Sequence, residues 1–343
     1  MASISICIPA YNCGEAVIEC VDSIMRQSHC SWEVIIVDDG SDIETEYLLD
    51  EIALRDSSKI RVIHTSNRGP YAARRTAFEL AENDYIMCLD SDDEIIGSDA
   101  LAKLSEIADG YSPDLIMFNG TTNLQTRSLF TDYSGIANEK NAQVSCDAFR
   151  SELLRSYNLN NLAFKMIKAT ILKESEEFCG HLTMAEDRYQ VLQIADKIKS
   201  IYLINEPLYF YRPNSESTTH SIYRYEYYEQ ICFVEQFALE KVKQWGCSLS
   251  DWAQLFQSIS YGAIRSVRKT TKRYKTRLDF YRRVLESTAY QYSREVLGSA
   301  RGRLDRKIAN VLLQKKAFYI LDAYLLIMVI IVAMIERRGE EMP

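Results

Sequence analysis

The chain has 343 residues, of which 47% are hydrophobic and 26% are charged, and it contains 13 glycines and 6 prolines. These values exclude a disordered, collagen-like or low-complexity protein and allow a large hydrophobic core. The 48 acidic side chains exceed the 40 basic ones, which gives a net charge of -8. No nucleic-acid partner is therefore expected, because neutralising a phosphate backbone requires a surplus of cations.

Apolar runs alternate with helical patterns through the first third of the chain. The runs predict strands over residues 3–9, 33–37, 60–64, 85–89 and 115–118. Helical spacing predicts helices over residues 14–27, 43–55 and 70–81. This alternation implies crossover connections and a parallel sheet covered on both faces. Later in the chain, residues 201–204 and 208–211 predict two short strands around the turn Asn205-Glu206-Pro207.

Polar side chains follow four of the predicted strands. They are Asn12 after the first, Asp38 and Asp39 after the second, Asn67 and Arg68 after the third, and Asp90, Asp92 and Asp93 after the fourth. In an open α/β sheet, ligands bind in the crevice beyond the carboxyl ends of the strands. Such residues also make turns, so the argument depends on the four positions together. Together they predict one ligand-binding cleft.

Three carboxylates occur within four residues in Asp90-Ser91-Asp92-Asp93. Residues two apart on an extended segment face the same way, so Asp90 and Asp92 are expected side by side. Their repulsion has to be neutralised by a cation or by hydrogen-bond donors. Mg²⁺ and Mn²⁺ prefer oxygen ligands and are commonly bound by one or two carboxylates plus phosphate oxygens. The cluster predicts such an ion bridging to a nucleotide diphosphate, with a helix cap as the alternative.

Four segments occur in an order and at a spacing typical of one enzyme family. They are Ile8-Pro9-Ala10-Tyr11-Asn12, Val37-Asp38-Asp39-Gly40-Ser41-Asp42, Asn67-Arg68-Gly69-Pro70-Tyr71-Ala72-Ala73-Arg74 and Leu89-Asp90-Ser91-Asp92-Asp93. They resemble the signature of glycosyltransferase family 2 over residues 3–96, and weaker similarity continues through Lys165, Glu186-Asp187 and residues 208–212. The resemblance implies a GT-A-type α/β fold with a mostly parallel Rossmann-like sheet and flanking helices. It also implies sugar transfer with inversion from a nucleotide diphosphate donor, a UDP-sugar being favoured.

The resemblance implies roles for individual residues in the donor site. That site would comprise Pro9, Tyr11, Asn12, Asp38, Asp39, Asn67, Arg74, Asp90, Ser91 and Asp93. Pro9, Tyr11 and Asp39 are expected to line the nucleobase and ribose, supported by Asp38. Arg74 is expected to approach the nucleotide, and Asp93 to face the donor sugar or the acceptor. Asp92 would be the principal ligand of Mn²⁺ or Mg²⁺, with Asp90 and His220 as further ligands.

Glu186 and Asp187 come directly before an apolar helical pattern. On the sequence alone, two acidic residues at a helix start are explained by the helix dipole. The resemblance implies instead that Asp187 is the general base, which removes the proton of the acceptor hydroxyl as its oxygen attacks the anomeric carbon. Glu186 would orient that base or the acceptor. The expected reaction is hexosyl or N-acetylhexosaminyl transfer to a glycan or lipid-linked glycan, in polysaccharide biosynthesis.

The sequence divides into a transferase domain and a helical extension. Residues 1–220 would form the GT-A domain, with a nucleotide-binding part to about residue 120 and an acceptor part over residues 121–220. Residues 221–316 predict the helical extension, and the apolar segment 317–335 contains one charge, Asp322. That segment is just long enough to span a bilayer. Basic residues before it favour a cytoplasmic body at the inner face of the cell membrane, although a buried helix or an oligomer contact is also compatible.

Two other functions remain open at this level. A metal-dependent nucleotidyltransferase would also use carboxylate-bound metal, but residues 9–14 are not the glycine-rich basic loop that such an enzyme normally has. A catalytically degenerate glycan-binding or assembly module would need no base and no metal ligands. The presence of Asp90, Asp92 and Asp187 argues against that loss of activity.

Overall fold

The computed structural model describes residues 1–29, 31–137, 139–175, 182–213, 224–297 and 304–340. The chain divides into two compact units, Met1–Pro213 and Asn214–Pro343. The predicted residue His220 lies outside the described residues. Each unit has its own core and is described by itself below.

The described part of the first unit alternates strands and helices. The strands are β1 (Ile4–Ala10), β2 (Trp32–Asp38), β3 (Ile60–His64), β4 (Tyr85–Cys88), β5 (Glu94–Ile95), β6 (Leu115–Thr121), β7 (Asn141–Val144), β8 (Lys165–Lys168) and β9 (Ile201–Phe210). The helices are α1 (Ala16–Met25), α2 (Ile43–Leu54), α3 (Pro70–Leu80), α4 (Ala100–Tyr111), α5 (Cys146–Arg155), α6 (Ala169–Lys173) and α7 (Glu186–Ile194). The predicted α/β class is confirmed, since each strand and helix expected in the first third of the chain is present.

The nine strands form one mixed sheet in the order β3-β2-β1-β4-β8-β6-β9-β5, with β7 paired to β9. The first four strands in this order are parallel, as predicted. Strand β8 is antiparallel to both β4 and β6, and β5 and β7 are antiparallel to β9. The sheet is therefore less parallel than the sequence pattern predicts, because strands from beyond residue 140 complete it.

Strand burial explains why the first strands are continuous apolar runs. In β1, Ile4, Ile6, Cys7 and Ile8 are all fully buried, as expected for a parallel strand covered on both faces. Because β1, β2 and β4 are parallel and in register, their carboxyl ends reach the same edge of the sheet. The loops that follow these strands are thereby brought together.

Strand β9 is one continuous element where two short strands were predicted. Its pairing with β6 shifts register on both sides of Asn119, which lies opposite Pro207. Proline has no N–H to donate and is tolerated in a sheet at such irregularities. The turn expected at Asn205-Glu206-Pro207 is therefore wrong, since the irregular register accommodates the proline within the strand.

The second unit is helical in its described part, which confirms the predicted helical C-terminus. Its helices are α8 (Tyr225–Trp245), α9 (Leu249–Thr270), α10 (Tyr274–Glu286), α11 (Thr288–Leu297), α12 (Leu304–Gln314) and α13 (Phe318–Glu340). Large side chains fill its core, including Tyr228, Trp252 and Phe256. Within the described ranges, no helix has both the length and the apolar composition needed to cross a bilayer.

Asp322, the one charged residue of the predicted apolar segment, faces into this unit. It is 7% exposed, and its carboxylate accepts hydrogen bonds from Nε and Nη2 of Arg277 at 2.8 Å each. The Tyr281 hydroxyl donates a further bond at 2.9 Å. Burial alone raises the pKa of Asp322, but these donors outweigh burial and hold that pKa below its ordinary value. The ion pair fastens α13 to α10.

Replacing Asp322 is expected to destabilise the second unit. Asp322→Ala leaves the Arg277 guanidinium buried without a counter-charge, so the free energy of unfolding should fall by about 3–5 kcal/mol. Because the folded-state pKa of Asp322 is lowered, the advantage of the wild type should be present above about pH 4 and be lost as the pH falls further. Urea denaturation of the full chain at several pH values measures both effects.

The matched control is Asp279→Ala on α10. Its carboxylate makes longer pairs, at 3.6 Å, with the exposed Arg282 and Arg283. Such surface pairs contribute about 0–1 kcal/mol. Equal losses in the two variants would show that Asp322 is not a stabilising anchor.

Candidate functional site

The loops after β1 and β2 are joined by hydrogen bonds at the carboxyl edge of the sheet. The Asn12 backbone N–H donates to the Ser41 hydroxyl at 2.9 Å, and the Asp42 N–H donates to Asn12 Oδ1 at 2.8 Å. Asn12 has φ +47, a left-handed conformation that asparagine adopts more readily than most residues. Its neighbour Tyr11 is 55% exposed, and the ring is thus accessible at this edge.

Asp38 and Asp39 are buried beneath these loops. Asp38 Oδ1 accepts from the Ser41 N–H at 3.0 Å. The two oxygens of Asp39 accept from the N–H groups of Arg68 and Gly69 at 2.8 Å each, which fixes the start of α3. Both carboxylates therefore shape the predicted donor site from below, whereas Tyr11 and the exposed Asn67 lie on its surface.

Gly40 explains how closely the loops after β2 and β3 approach each other. It has φ +72, and a Cβ there would lie 2.7 Å from the Asn67 backbone nitrogen. Neither the conformation nor the space allows a side chain. The glycine in the predicted signature is therefore a packing requirement at this site.

A histidine that the sequence analysis did not single out lies beside Asp38. His64 Nδ1 is 2.8 Å from Asp38 Oδ2, and its Nε2 is 3.2 Å from Asp50 Oδ1. The bond to Asp38 is the main reason why the pKa of His64 is raised. Asp38, Glu46 and His64 form the one cluster of three metal-ligating side chains found among the described residues. This cluster differs from the predicted ligand set of Asp90, Asp92 and His220.

Asp93 is placed differently from its neighbours in the acidic cluster. It is 1% exposed, and its carboxylate oxygens accept from the Tyr209 hydroxyl at 2.6 Å and from the Arg212 N–H at 2.9 Å. Burial, with the nearby Asp90, raises the pKa of Asp93 to about 8. The expected contact of Asp93 with donor sugar or acceptor is therefore not what this geometry favours, because both oxygens hold the end of β9.

Two residues at the end of β9 position the acidic loop. The Tyr209 hydroxyl accepts from the Asp90 N–H at 3.2 Å, and Arg212 Nε donates to the Asp92 carbonyl at 3.0 Å. Both residues lie in the weaker similarity at positions 208–212, which was the signal available in the sequence. Periodicity could not assign them to this loop, more than a hundred residues earlier.

Arg74 brings the two acidic motifs together. It is 6% exposed, and its guanidinium lies 2.7 Å from Asp187 Oδ1, 3.1 Å from Asp90 Oδ1 and 3.4 Å from Glu186 Oε1. Burial alone lowers the pKa of Arg74, but the three carboxylates outweigh it and hold that pKa well above its ordinary value. Arg74, the residue predicted to approach the nucleotide, thus contacts three acidic side chains.

Asp187 lies at the start of α7 and is half-buried. The Leu162 N–H donates to its Oδ2 at 3.3 Å, and the side chain keeps 26% of its exposure. Burial raises the pKa of Asp187 above its ordinary value, and Arg74 partly opposes this. Burial likewise raises the pKa of Glu186, with a further contribution from Asp187. A carboxylate held in this way can accept a proton.

Lys165 lies in the same region and is 1% exposed. Its ammonium group donates to the Asn161 carbonyl. Burial lowers the pKa of Lys165 to about 7, against the opposing charge of Asp187. In the sequence, Lys165 was singled out only by the weaker similarity to glycosyltransferase family 2. Its proximity to Asp187 depends on the antiparallel placement of β8, which the pattern of the first strands did not predict.

Asp90 and Asp92 fit a hard divalent ion that binds phosphate oxygens as well. The Asp90 side chain keeps 35% of its exposure, and Asp92 is half-buried two residues further on. An ion such as Mg²⁺ commonly uses one or two carboxylates and completes its shell with waters and substrate phosphates. The oxygen-only chemistry of these two side chains suits Mg²⁺ or Mn²⁺.

Comparison with protein families identifies a match over the first half of the chain. Residues 5–171 match the model described as glycosyl transferase family 2. Glycosyltransferase GlyG of Streptococcus pneumoniae serotype 4 is 27% identical over 225 residues, which cover 62% of this chain and 72% of GlyG. Poly(ribitol-phosphate) beta-glucosyltransferase of Bacillus spizizenii is 30% identical over 217 residues, which cover 61% of this chain and 32% of that enzyme.

The fold is similar to that of a solved glycosyltransferase. The crystal structure of residues 1–349 of S. aureus TarS in complex with UDP-GlcNAc has a TM-score of 0.67 and 16% identity, covering 94% of this chain and 90% of that one. At this identity the likeness shows a common GT-A fold. The family model and the named glycosyltransferases together show that the matched part of the chain, residues 5–171, belongs to glycosyltransferase family 2.

Proposed function

We propose that the chain transfers a sugar from a UDP-sugar to a hydroxyl of a glycan or lipid-linked glycan, with inversion at the anomeric carbon. The observation that carries this proposal is the shared contact of Arg74 with Asp187 and Asp90, at 2.7 and 3.1 Å. A carboxylate suited to proton removal thus lies beside the carboxylate loop suited to a metal-bound diphosphate. Single displacement requires these two groups at one site.

In the proposed step, the acceptor hydroxyl oxygen forms a bond to the anomeric carbon while the bond from that carbon to the diphosphate oxygen breaks. Asp187 takes the proton of the hydroxyl as the oxygen attacks. The Leu162 N–H and Arg74 hold the Asp187 carboxylate in place, and Glu186 orients it. Attack on the face opposite the departing nucleotide inverts the anomeric carbon.

Asp92 and Asp90 would hold Mn²⁺ or Mg²⁺. When bound, such an ion neutralises charge that develops on the departing diphosphate. Asp90 is also held by Arg74, and its backbone N–H bonds to Tyr209, so the loop is positioned by the protein before a ligand binds. Pre-positioned groups contribute to catalysis because they need no rearrangement during the reaction.

The donor class is proposed from a solved structure of the same fold, and the acceptor class from the name of a relative. TarS, which has the same fold, was solved with UDP-GlcNAc and with UDP. Tyr11, Asn12, Asn67 and Ser91 are exposed or half-buried at the corresponding edge of this sheet, where a nucleotide would bind. The named substrate of the Bacillus spizizenii relative is poly(ribitol-phosphate), which favours a polyhydroxylated polymer or its lipid-linked precursor as the acceptor class.

We also propose that the second unit contacts the inner face of the cell membrane through α13. Apolar side chains at helical spacing are exposed on one face of this helix, and they are Tyr319, Ile320, Leu326, Ile327, Ile330 and Ile331. The exposed Lys315 and Lys316 directly precede it. An apolar face next to basic side chains is suited to lying in the interface of an anionic bilayer.

Removal of the proposed base is expected to slow turnover with little effect on donor binding. Asp187→Asn keeps the size of the side chain and an acceptor for the Leu162 N–H, but it cannot take a proton. The rate of UDP release from UDP-GlcNAc should fall about 10²–10⁴-fold. Asp147→Asn, a 94% exposed side chain on α5, serves as the control. Retained turnover in Asp187→Asn would exclude this residue as the base.

Removal of the principal metal ligand is expected to weaken nucleotide binding only when the ion is present. In isothermal titration of Asp92→Asn with UDP, the affinity should fall at least about tenfold in Mn²⁺ and change little in chelator. Asp147→Asn should bind as the wild type does under both conditions. Equal affinities of Asp92→Asn and wild type in Mn²⁺ would contradict the metal assignment.

The membrane contact predicts sedimentation with anionic vesicles. Ile320→Ser combined with Ile327→Ser removes apolar area from the exposed face of α13, so binding to phosphatidylglycerol vesicles should fall at least about tenfold. Leu54→Ser, which changes a 79% exposed leucine on α2, is the matched control. Added salt should weaken wild-type binding because of the lysines. No binding by the wild type would exclude the contact.

A further inference from the structure

A half-exposed aromatic ring lies on a firmly held segment after β6. Phe130 is 49% exposed, and its backbone N–H donates to the Gly120 carbonyl at 2.8 Å. The adjacent Thr131 exchanges two hydrogen bonds with the Asn119 side chain, at 2.9 and 2.7 Å. The backbone that carries Phe130 is therefore fixed to the end of β6.

The orientation of the Phe130 ring is fixed by other aromatic rings. It packs edge-on against Phe164 with centroids 5.4 Å apart, and tilted against Tyr211 at 5.5 Å. Phe164 also packs against Tyr209 at 5.1 Å. A Cβ at Gly120 would lie 2.6 Å from the Phe164 ring, so this glycine leaves room for the ring. One part of the Phe130 ring is thus buried by packing, and the rest is presented to solvent in a defined orientation.

The Phe130 ring is connected to both halves of the proposed catalytic machinery through packed side chains and a short stretch of chain. Phe164 follows two residues after Leu162, whose N–H holds Asp187, and two residues of chain span at most about 7 Å. On the other side, Tyr209 bonds to Asp93 in the acidic loop. Phe164 and Leu162 therefore link the Phe130 ring to Asp187, and Phe164 and Tyr209 link it to the acidic loop.

The position of the ring in the sheet separates it from the donor loops. The loops with the predicted nucleotide-binding residues follow β1, β2, β3 and β4. The aromatic residues lie elsewhere in the sheet: Phe130 follows β6, Phe164 directly precedes β8 and Tyr211 directly follows β9. In the strand order, β8, β6 and β9 lie on the opposite side of β4 from β1, β2 and β3. Strand β4 leads into the acidic loop. If the donor binds at that loop, the part of the sheet with β8, β6 and β9 is left for the acceptor.

We propose that Phe130, supported by Tyr211, forms an acceptor subsite on which one pyranose ring of the acceptor stacks. This inference rests on the proposed function. A pyranose has an apolar C–H face and a polar rim, and a rigid aromatic ring binds such a face at low cost in conformational entropy. Stacking leaves the hydroxyls at the rim of the sugar directed sideways, where one of them can reach Asp187.

The experiment uses methyl β-D-glycosides of glucose, galactose and N-acetylglucosamine as probes, because they have no aromatic group of their own. Saturation-transfer NMR measures their binding to the full chain loaded with UDP and Mn²⁺, and titration measures the affinities for UDP and UDP-GlcNAc. Phe130→Ala should weaken binding of the preferred glycoside about tenfold and leave both donor affinities within twofold. Phe130→Trp keeps an aromatic face and should retain glycoside binding.

Tyr111→Ala is the matched control. Tyr111 is 56% exposed and also forms an aromatic pair, with Tyr202 at 4.6 Å. It ends α4 just before β6 begins, at the edge of the sheet opposite the site. Glycoside binding by this variant should equal that of the wild type. A similar loss in Tyr111→Ala and Phe130→Ala would show a general effect of removing a surface ring and would overturn the proposal.

Three further outcomes would overturn the subsite, and they differ from failure of the proposed function. Weaker binding of UDP-GlcNAc but not of UDP in Phe130→Ala would place the donor sugar on the ring. Unchanged glycoside binding would assign Phe130 to packing alone. Absence of glycoside binding by the wild type would exclude this sugar class while UDP binding continued to support the transferase function. Absence of UDP binding by the wild type would instead count against that function.

Discussion

The buried guanidinium of Arg74 is surrounded by carboxylates, and this group of ion pairs organises the site. Arg74 on α3 is buried and contacts Asp90, Glu186 and Asp187. Removing a charged group from water costs several kcal/mol, and the three carboxylates offset this cost for Arg74. The three acidic groups repel one another, and each of them is stabilised by the cation. The acidic loop after β4 and the start of α7 are therefore held together by one shared charge.

The first half of the fold could be predicted because its signal is local. Apolar runs and helical spacing identify β1 to β4 and α1 to α3, since each element buries its own apolar residues. The sequence pattern did not predict β8 and divided β9 into two strands, because the antiparallel and irregular pairings of these strands depend on partners far away in the sequence. Local patterns contain no information about such pairings.

In the candidate site, too, local sequence motifs predicted some features, whereas contacts between distant residues could not be predicted. The order of the motifs predicted which residues gather at the carboxyl edge, but not what each side chain does there. Asp92 and Asp93 are adjacent aspartates in the sequence, yet the structure buries Asp93 against Tyr209 and Arg212 and leaves Asp92 half-buried. The two side chains therefore have different environments, because the end of β9 covers Asp93. Likewise, the approach of Arg74 to Glu186 joins residues 112 positions apart.

The bond between Tyr209 and Asp93 has a consequence for biosynthesis of the protein. It joins residues 116 positions apart, and β9 is the last strand of the sheet to be translated. Domains generally acquire their structure as the chain leaves the ribosome. The acidic loop lacks this support until residue 209 has emerged. The acidic loop therefore reaches its final structure only after nearly the whole first unit has been synthesised.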